Sequence, residues 1–278
     1  MNITIPLQRG LSLSMNDGRA TGNGYATSAL QKGWLLCDNG RCLAEEAVGF
    51  GVPVVKRGIR ALFPGAVEMS LTRDKSVWRV AARFTLNLEE KICRPGRGIV
   101  GNGFVYGIKN SLAAAIRTIP LSRAALTAAS SAVRLVFGLQ TVYECAEKSD
   151  NVAIMYTVDA EAGTLLVEAD TSGITGRGVS EFVLMNEQGA HFFQRYIDSS
   201  GLSLGGKKIG CWDEVEAGEA SFGGSVTHAS FTAEKAQGGR LFRGRELVGS
   251  RLAWSGFGYS FPSLGQTVRY TLRITRDM

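Results

Sequence analysis

Nothing in this chain spells out a nucleotide or catalytic motif: there is no strand-loop-helix phosphate cradle, no metal-ligand spacing and no nucleophile elbow. The five cysteines, Cys37, Cys42, Cys93, Cys145 and Cys211, are odd in number and scattered, without a C-x-x-C or a nearby histidine. That argues against a zinc site and a disulfide framework and predicts buried free thiols. No metal and no cofactor are expected. No uncharged stretch approaches the roughly 18 apolar residues of a spanning helix, and no basic segment followed by an apolar run opens the chain, so a soluble, cytoplasmic protein with no membrane partner is expected. Prolines number 6 against 35 glycines, and charged residues make up 20%. Such a chain is neither collagen-like nor disordered; it has many tight turns, which points to β structure.

Positive charge is in mild excess, +6, and unevenly spread. Residues 1–143 hold 18 basic against 8 acidic groups, residues 144–219 hold 5 against 14, and residues 220–278 hold 8 against 3. A nucleic-acid binder more often shows one basic face with little acid nearby, so this pattern disfavours nucleic acid as a partner. The acidic middle is expected to pair with the basic flanks.

With 278 residues and 45% hydrophobic content, the chain can bury one large core, and a single domain is expected. From Ser76 the pattern has a period of two: Trp78, Val80, Ala82, Phe84, Leu86 and Leu88 alternate with Arg79, Arg83, Thr85 and Asn87, as in a half-buried strand. Val268, Tyr270, Leu272 and Ile274 repeat the arrangement near the end. Residues 152–158 and 164–169 flank a turn-rich segment and predict a hairpin. Further strands are expected at 33–37, 53–59, 66–72, 181–185, 225–233 and 246–254, making roughly ten to fourteen. His228 falls in one of them, with a hydrogen-bonding role in the sheet. Trp254, Phe257, Tyr259 and Phe261 alternate with small residues, as on a strand whose aromatics face a core.

Residues 104–138 break the pattern. Ile108, Leu112 and Ile116 recur every four residues, Leu126, Ala129, Val133 and Val136 follow threes and fours, and Pro120 separates the two predicted helices. The whole predicts a mainly β fold, a large antiparallel β-sandwich with a two-helix insertion over 104–138. In its proportions the chain resembles the large β-sandwiches of the galactose-mutarotase type, a supersandwich, and of polysaccharide-lyase accessory domains. That resemblance is one of architecture, with no shared motif, and fold does not fix activity.

Carboxamide, carboxylate, imidazole, guanidinium and phenol groups converge in residues 185–198, the densest polar segment of the chain and the leading site candidate. A helix capped by Asn186 would place Glu187, His191, Arg195 and Asp198 on one stripe, with His191 as a general base beside Glu187 or Asp198, and Arg195 gripping an anion. The same spacing also describes a solvated helix face, and a strand would dissolve the stripe. Trp212 beside Asp213 suits a sugar, an indole covering the C–H face of a pyranose while carboxylates take its hydroxyls; a core tryptophan with a turn-capping aspartate fits the same residues. Arg240, Arg243 and Arg245 among glycines suggest a basic loop able to hold an anion. Glu45 and Glu46 form a weak acid/base candidate, since neighbours on a strand face opposite ways unless the chain turns there.

The catalytic candidates are therefore His191, Glu187 and Asp198, and the substrate-binding candidates Arg195, Tyr196, Trp212, Asp213 and Arg243. They point to a carbohydrate-binding or carbohydrate-modifying protein whose ligand is a small molecule or oligosaccharide, a sugar or uronate at the sandwich rim. The alternative is a non-catalytic sandwich for self-association into a homo-oligomer.

Overall fold

A computed structural model describes residues 1–17, 29–58, 60–94, 98–99, 140–174, 178–210, 212–224, 227–248, 252–262 and 264–276. Two units divide the chain: Met1–Leu88 with Ala146–Met278, and Glu89–Cys145. The helical pair expected over 104–138 lies outside the described residues. Among the described residues of the second unit, Lys91 Nζ meets Glu144 at 2.8 Å.

The described residues hold nineteen strands: β1 Asn2–Pro6, β2 Leu11–Asn16, β3 Leu35–Asp38, β4 Arg41–Cys42, β5 Gly49–Arg57, β6 Arg60–Asp74, β7 Val77–Arg94, β8 Gly98–Ile99, β9 Gln140–Asp159, β10 Thr164–Asp170, β11 Val179–Gln188, β12 Arg195–Asp198, β13 Ser203–Gly205, β14 Asp213–Glu214, β15 Glu219–Gly223, β16 Ala229–Glu234, β17 Arg240–Val248, β18 Leu252–Phe261 and β19 Thr267–Arg276. β1 to β4 form a small sheet in that order, and the large sheet runs β13-β12-β15-β16-β19-β10-β9-β7-β6-β5-β11-β18-β17-β14. Every described pairing is antiparallel, as for β10 with β9 and with β19.

Side-chain contacts show that the large sheet folds over on itself. β19 and β11 stand six places apart in the order, which in a flat sheet would separate them by roughly 29 Å. Yet Tyr270 of β19 donates its hydroxyl to Asn186 of β11 at 2.7 Å. Likewise Tyr156 of β9 donates to the Gly51 carbonyl of β5 at 2.6 Å. Phe257 of β18 meets Phe222 and Phe231 at ring separations of 4.8 and 5.8 Å, and Tyr259 stacks on Tyr270 at 4.0 Å. The half from β13 to β9 therefore lies against the half from β5 to β14, giving the antiparallel sandwich expected. Alternation built it: β10 buries Leu165, Val167 and Ala169 and β19 buries Val268, Tyr270, Leu272 and Ile274, each placing one row of apolar side chains inside.

The predicted hairpin over 152–169 is formed by β9 and β10 in register Thr164↔Asp159. Asp159 shapes its turn by accepting the N–H groups of Glu161 and Ala162 at 3.0 and 3.1 Å. The charge segregation is used as anticipated. Acids of the middle third meet bases of the flanks in Lys56–Glu181 (2.6 Å), Arg57–Asp150 (2.7 Å) and Arg273–Glu219 (2.7 Å). Three local expectations are corrected. The strand expected at 246–254 is the end of β17 and the start of β18, which pair antiparallel with Val248 opposite Leu252. His228 stands before β16, exposed at φ 51°, outside the ladder. Cys42 and Cys145 are exposed free thiols, and Cys37 is buried as expected.

Candidate functional site

The helix considered for 186–198 does not form. β11 continues to Gln188, a turn follows at 190–192, and β12 begins at Arg195. The ladder won over local helix propensity: β11 is paired on both sides, by β5 and β18, and β12 by β13 and β15. Gly189 makes the turn. Its N–H donates to the Leu43 carbonyl at 2.7 Å, and an added Cβ would sit 2.6 Å from that same oxygen. The stripe of Glu187, His191, Arg195 and Asp198 is consequently dispersed.

Three polar residues, Asn186, Glu187 and Gln188, end β11 and are all buried. Alternation sends the two carboxamides to one face and the carboxylate to the other. Asn186 accepts from Gly51 N–H at 3.0 Å and from Tyr270, while Gln188 accepts Leu36 N–H and donates to the Trp34 carbonyl, both at 3.1 Å. They tie strands together, since an unpaired buried amide costs about 1–3 kcal/mol. Glu187 accepts a long bond from Val48 N–H, 3.4 Å. Burial pushes its carboxyl up to about 8, with Val48 and Lys32 opposing and Glu246 adding to the rise, so near neutral pH it is largely a protonated acid.

His191 has a different partner from either one anticipated. Its Nδ1 lies 2.9 Å from both carboxylate oxygens of Glu45, whose side chain is 27% exposed against 50% for His191. The chain does turn at Glu45 and Glu46, and Glu45 takes φ 47°, a left-handed conformation that costs a non-glycine residue about 1–2 kcal/mol. This turn is where Glu45 reaches His191, and the sequence signal for it is modest: two acids between Ala44 and Ala47, ahead of Gly49.

Sheet pleating separates the remaining candidates. Glu187 pairs with Gly256, and Gly256 with Gly244; one residue along, Asn186 pairs with Phe257, and Phe257 with Arg243. Paired residues share a face, so Arg243 points with Asn186 into the sandwich. Its guanidinium lies 4.9 Å over the Tyr196 ring and donates from Nε to the Ile209 carbonyl at 3.2 Å. The expected basic loop is thus a strand that splits its arginines between faces. Asp213 stands opposite Arg243, with 3.9 Å between Oδ2 and Nη2.

Tyr196, fully buried, donates to Asp198 at 2.9 Å. Burial works upward on the Asp198 carboxyl; the Ser200 and Tyr196 hydroxyls and the N–H groups of Ser200 and Leu202 outweigh it and hold the group below its ordinary value. Asp198 therefore caps a turn. Tyr196→Phe should lower stability by about 1 kcal/mol, measured by thermal unfolding, as for one internal hydrogen bond. Arg195, on the opposite face of β12, is exposed.

The face of β11, β18 and β17 turned away from Asn186 carries Glu187 and Trp254, both buried, and the partly exposed Glu246, above a floor of Gly244, Gly256 and Gly258. Trp212, at φ 59°, stacks on Trp254 at 4.9 Å and 26°. A Cβ at Gly258 would lie 2.7 Å from the Trp212 ring, and one at Gly244 would lie 2.8 Å from Trp254, so these glycines let the indoles lie flat on the sheet. Trp254 Nε1 donates to Glu246 at 3.2 Å, and Trp212 stays partly exposed. Elsewhere a groove of about 630 Å³ is lined by Glu68, Arg83, Ala153, Met155, Glu168 and Asp170 among others, without an aromatic ring. Among the described residues no three metal-ligating side chains cluster, and no helix is long and apolar enough to cross a membrane.

Neither the models of known protein families nor the curated proteins give a match to this sequence. Solved structures do. The α-N-acetylgalactosaminidase NagBb from Bifidobacterium bifidum, in its Gal-NHAc-DNJ complex, superposes with a TM-score of 0.51 and 11% identity. The match covers 99% of this chain and 36% of that one. The same enzyme with GalNAc, and its quadruple mutant, give TM-scores of 0.49 and 0.48 at 10% identity. The likeness is one of fold: over nearly its whole length this chain shares an antiparallel β-sandwich with a glycosidase, and it spans 36% of that enzyme's length.

Proposed function

We propose that this chain is a carbohydrate-binding β-sandwich whose ligand, a sugar or uronate, lies on the outer face of β11, β18 and β17. One observation carries the reading: a partly exposed indole, Trp212, held flat over glycines and stacked on Trp254, whose Nε1–H is accepted by the Glu246 carboxylate. A pyranose offers one C–H face to an aromatic ring and equatorial hydroxyls to neighbouring carboxylates, and this face supplies both kinds of partner. The fold shared with an α-N-acetylgalactosaminidase supports the choice of ligand class. His191, held by Glu45 and half exposed, is the group best arranged to move a proton, should the bound sugar be modified as well.

The test is a thermal-shift and calorimetric screen with galactose, N-acetylgalactosamine, glucose and uronates, repeated on Trp212→Ala and His191→Ala. Stacking of one ring is worth about 1–2 kcal/mol, so Trp212→Ala should weaken binding about five- to thirtyfold. His191→Ala should spare affinity and remove any turnover. Absence of any saccharide response, together with a concentration-dependent oligomer, would replace this reading with the non-catalytic assembly module. That second reading is favoured by Ile197 and Leu202, 44% and 40% exposed beside the β12–β13 edge.

A further inference from the structure

β3 and β4 form a hairpin in which Asp38 stands opposite Arg41, and Cys37 opposite Cys42. Its turn is Asn39-Gly40 with φ of 46° and 81°, the left-handed pair of a type I′ turn. In such a hairpin the residues flanking the turn exchange backbone hydrogen bonds and the next pair does not. The ladder resumes at Leu43, whose N–H donates to the Leu36 carbonyl at 2.8 Å. Cys37 and Cys42 therefore occupy a non-hydrogen-bonded pair, where Cα atoms approach to about 4.5 Å and both side chains leave the same face. A disulfide spans Cα separations of about 4.4–6.8 Å, so the backbone already suits one.

The two thiols differ in access and acidity. Cys42 is exposed and Cys37 buried. The Cys37 thiol draws the Cys42 thiol down, burial opposes it, and the Ala44 N–H, 3.5 Å from Sγ, together with Lys32 brings it to about 6. Cys37 is pushed up by the same partnership and by burial. Cys42 is thus the thiolate member at neutral pH, its sulfur partly buried against Ala44, and Cys37 the resolving thiol held beside it.

We propose that Cys37 and Cys42 are an oxidant-responsive pair that closes a reversible cross-strand disulfide when the chain meets a hydroperoxide. The Cys42 thiolate attacks the terminal peroxide oxygen; an S–O bond forms, the O–O bond breaks, and the leaving alkoxide or hydroxide takes a proton. Cys37 sulfur then attacks Cys42 Sγ; the S–S bond forms, the S–O bond breaks, and hydroxide departs as water with the Cys37 proton. Two thiols lose two electrons to the peroxide, and a thiol reductant reverses the step. Because Ala44 N–H binds Cys42 Sγ and Glu45 follows directly, closure tightens the segment that positions the His191 partner. The pair stands independently of what the chain binds.

The intact chain is treated with dilute hydrogen peroxide at pH 7, alkylated in denaturant and digested with trypsin. Cleavage after Lys32, Arg41 and Lys56 should give peptides 33–41 and 42–56 joined by a bond that dithiothreitol breaks. Cys37→Ser should leave Cys42 as a sulfenic acid trapped by dimedone, and Cys42→Ser should leave Cys37 reduced. Either variant suffices where the other does not fold. The proposal is overturned if wild-type Cys42 proceeds to sulfinic or sulfonic acid while Cys37 stays alkylatable, if Cys145 is oxidised while Cys42 stays reduced, or if Cys37 in Cys42→Ser oxidises at the wild-type rate.

Discussion

Replacing Glu187 with glutamine is expected to make the chain about 3–5 kcal/mol more stable than wild type at pH 8, with the two nearly equal near pH 4. The carboxyl sits at about 8 in the folded chain against an ordinary 4.5. Below the ordinary value it is protonated in both states and the folded chain pays nothing for it. Between the two values the unfolded chain releases the proton and the folded chain keeps it, so stability falls by about 1.4 kcal/mol per pH unit as pH rises. Local relaxation and water entry reduce the full sum toward the lower figure. Glutamine keeps the shape and a neutral polar end but has no proton to lose. Carboxyls held low, such as Asp198 and Glu181, act in the opposite sense and lose their contribution as pH falls through their depressed values, outside this window. Urea midpoints measured from pH 4 to pH 8 decide the matter; parallel curves for the two proteins would refute the burial account of Glu187.

A methyl group at Gly256 should unfold the sandwich or cost more than about 4 kcal/mol, at the extreme of single-substitution effects. Gly256 lies in β18 between Glu187 and Gly244, and its backbone is not left-handed, so conformational freedom is not its role. Its added Cβ would fall inside the Asn186 carbonyl oxygen and 2.8 Å from Glu187 Cα. Both obstacles are backbone, so no rotamer can yield; β11 and β18 would have to part. Gly218→Ala is the control, since nothing lies within 4 Å of its added Cβ, and it should change the melting temperature little. Equal melting for Gly256→Ala and wild type would show that the strands part without cost.

Legibility followed the reach of the interactions. The period of two in 76–88 and 268–275 was visible because each strand presents one row to the core whatever lies opposite. Helix and strand stay open over 186–198 in the sequence because Glu, His, Arg and Asp at steps of three and four satisfy both a helix stripe and an interrupted pair of strands, and only partners far along the chain select between them. The Glu45–His191 contact spans 146 positions and rests on a turn whose conformation is locally unfavourable, so no window of sequence contains it.

Composition and alternation by themselves determined that this chain is a turn-rich antiparallel β protein with acids of its middle third set against bases on either side. Tertiary structure alone decided which polar groups meet. One residue of pleat sends Arg243 inward to Tyr196 while Glu187 takes the face that carries Trp254, and cross-strand register sets Cys37 against Cys42. The physical reason is that hydrophobic period is carried by each strand separately, whereas register and facing are properties of pairs of strands brought together from distant parts of the chain.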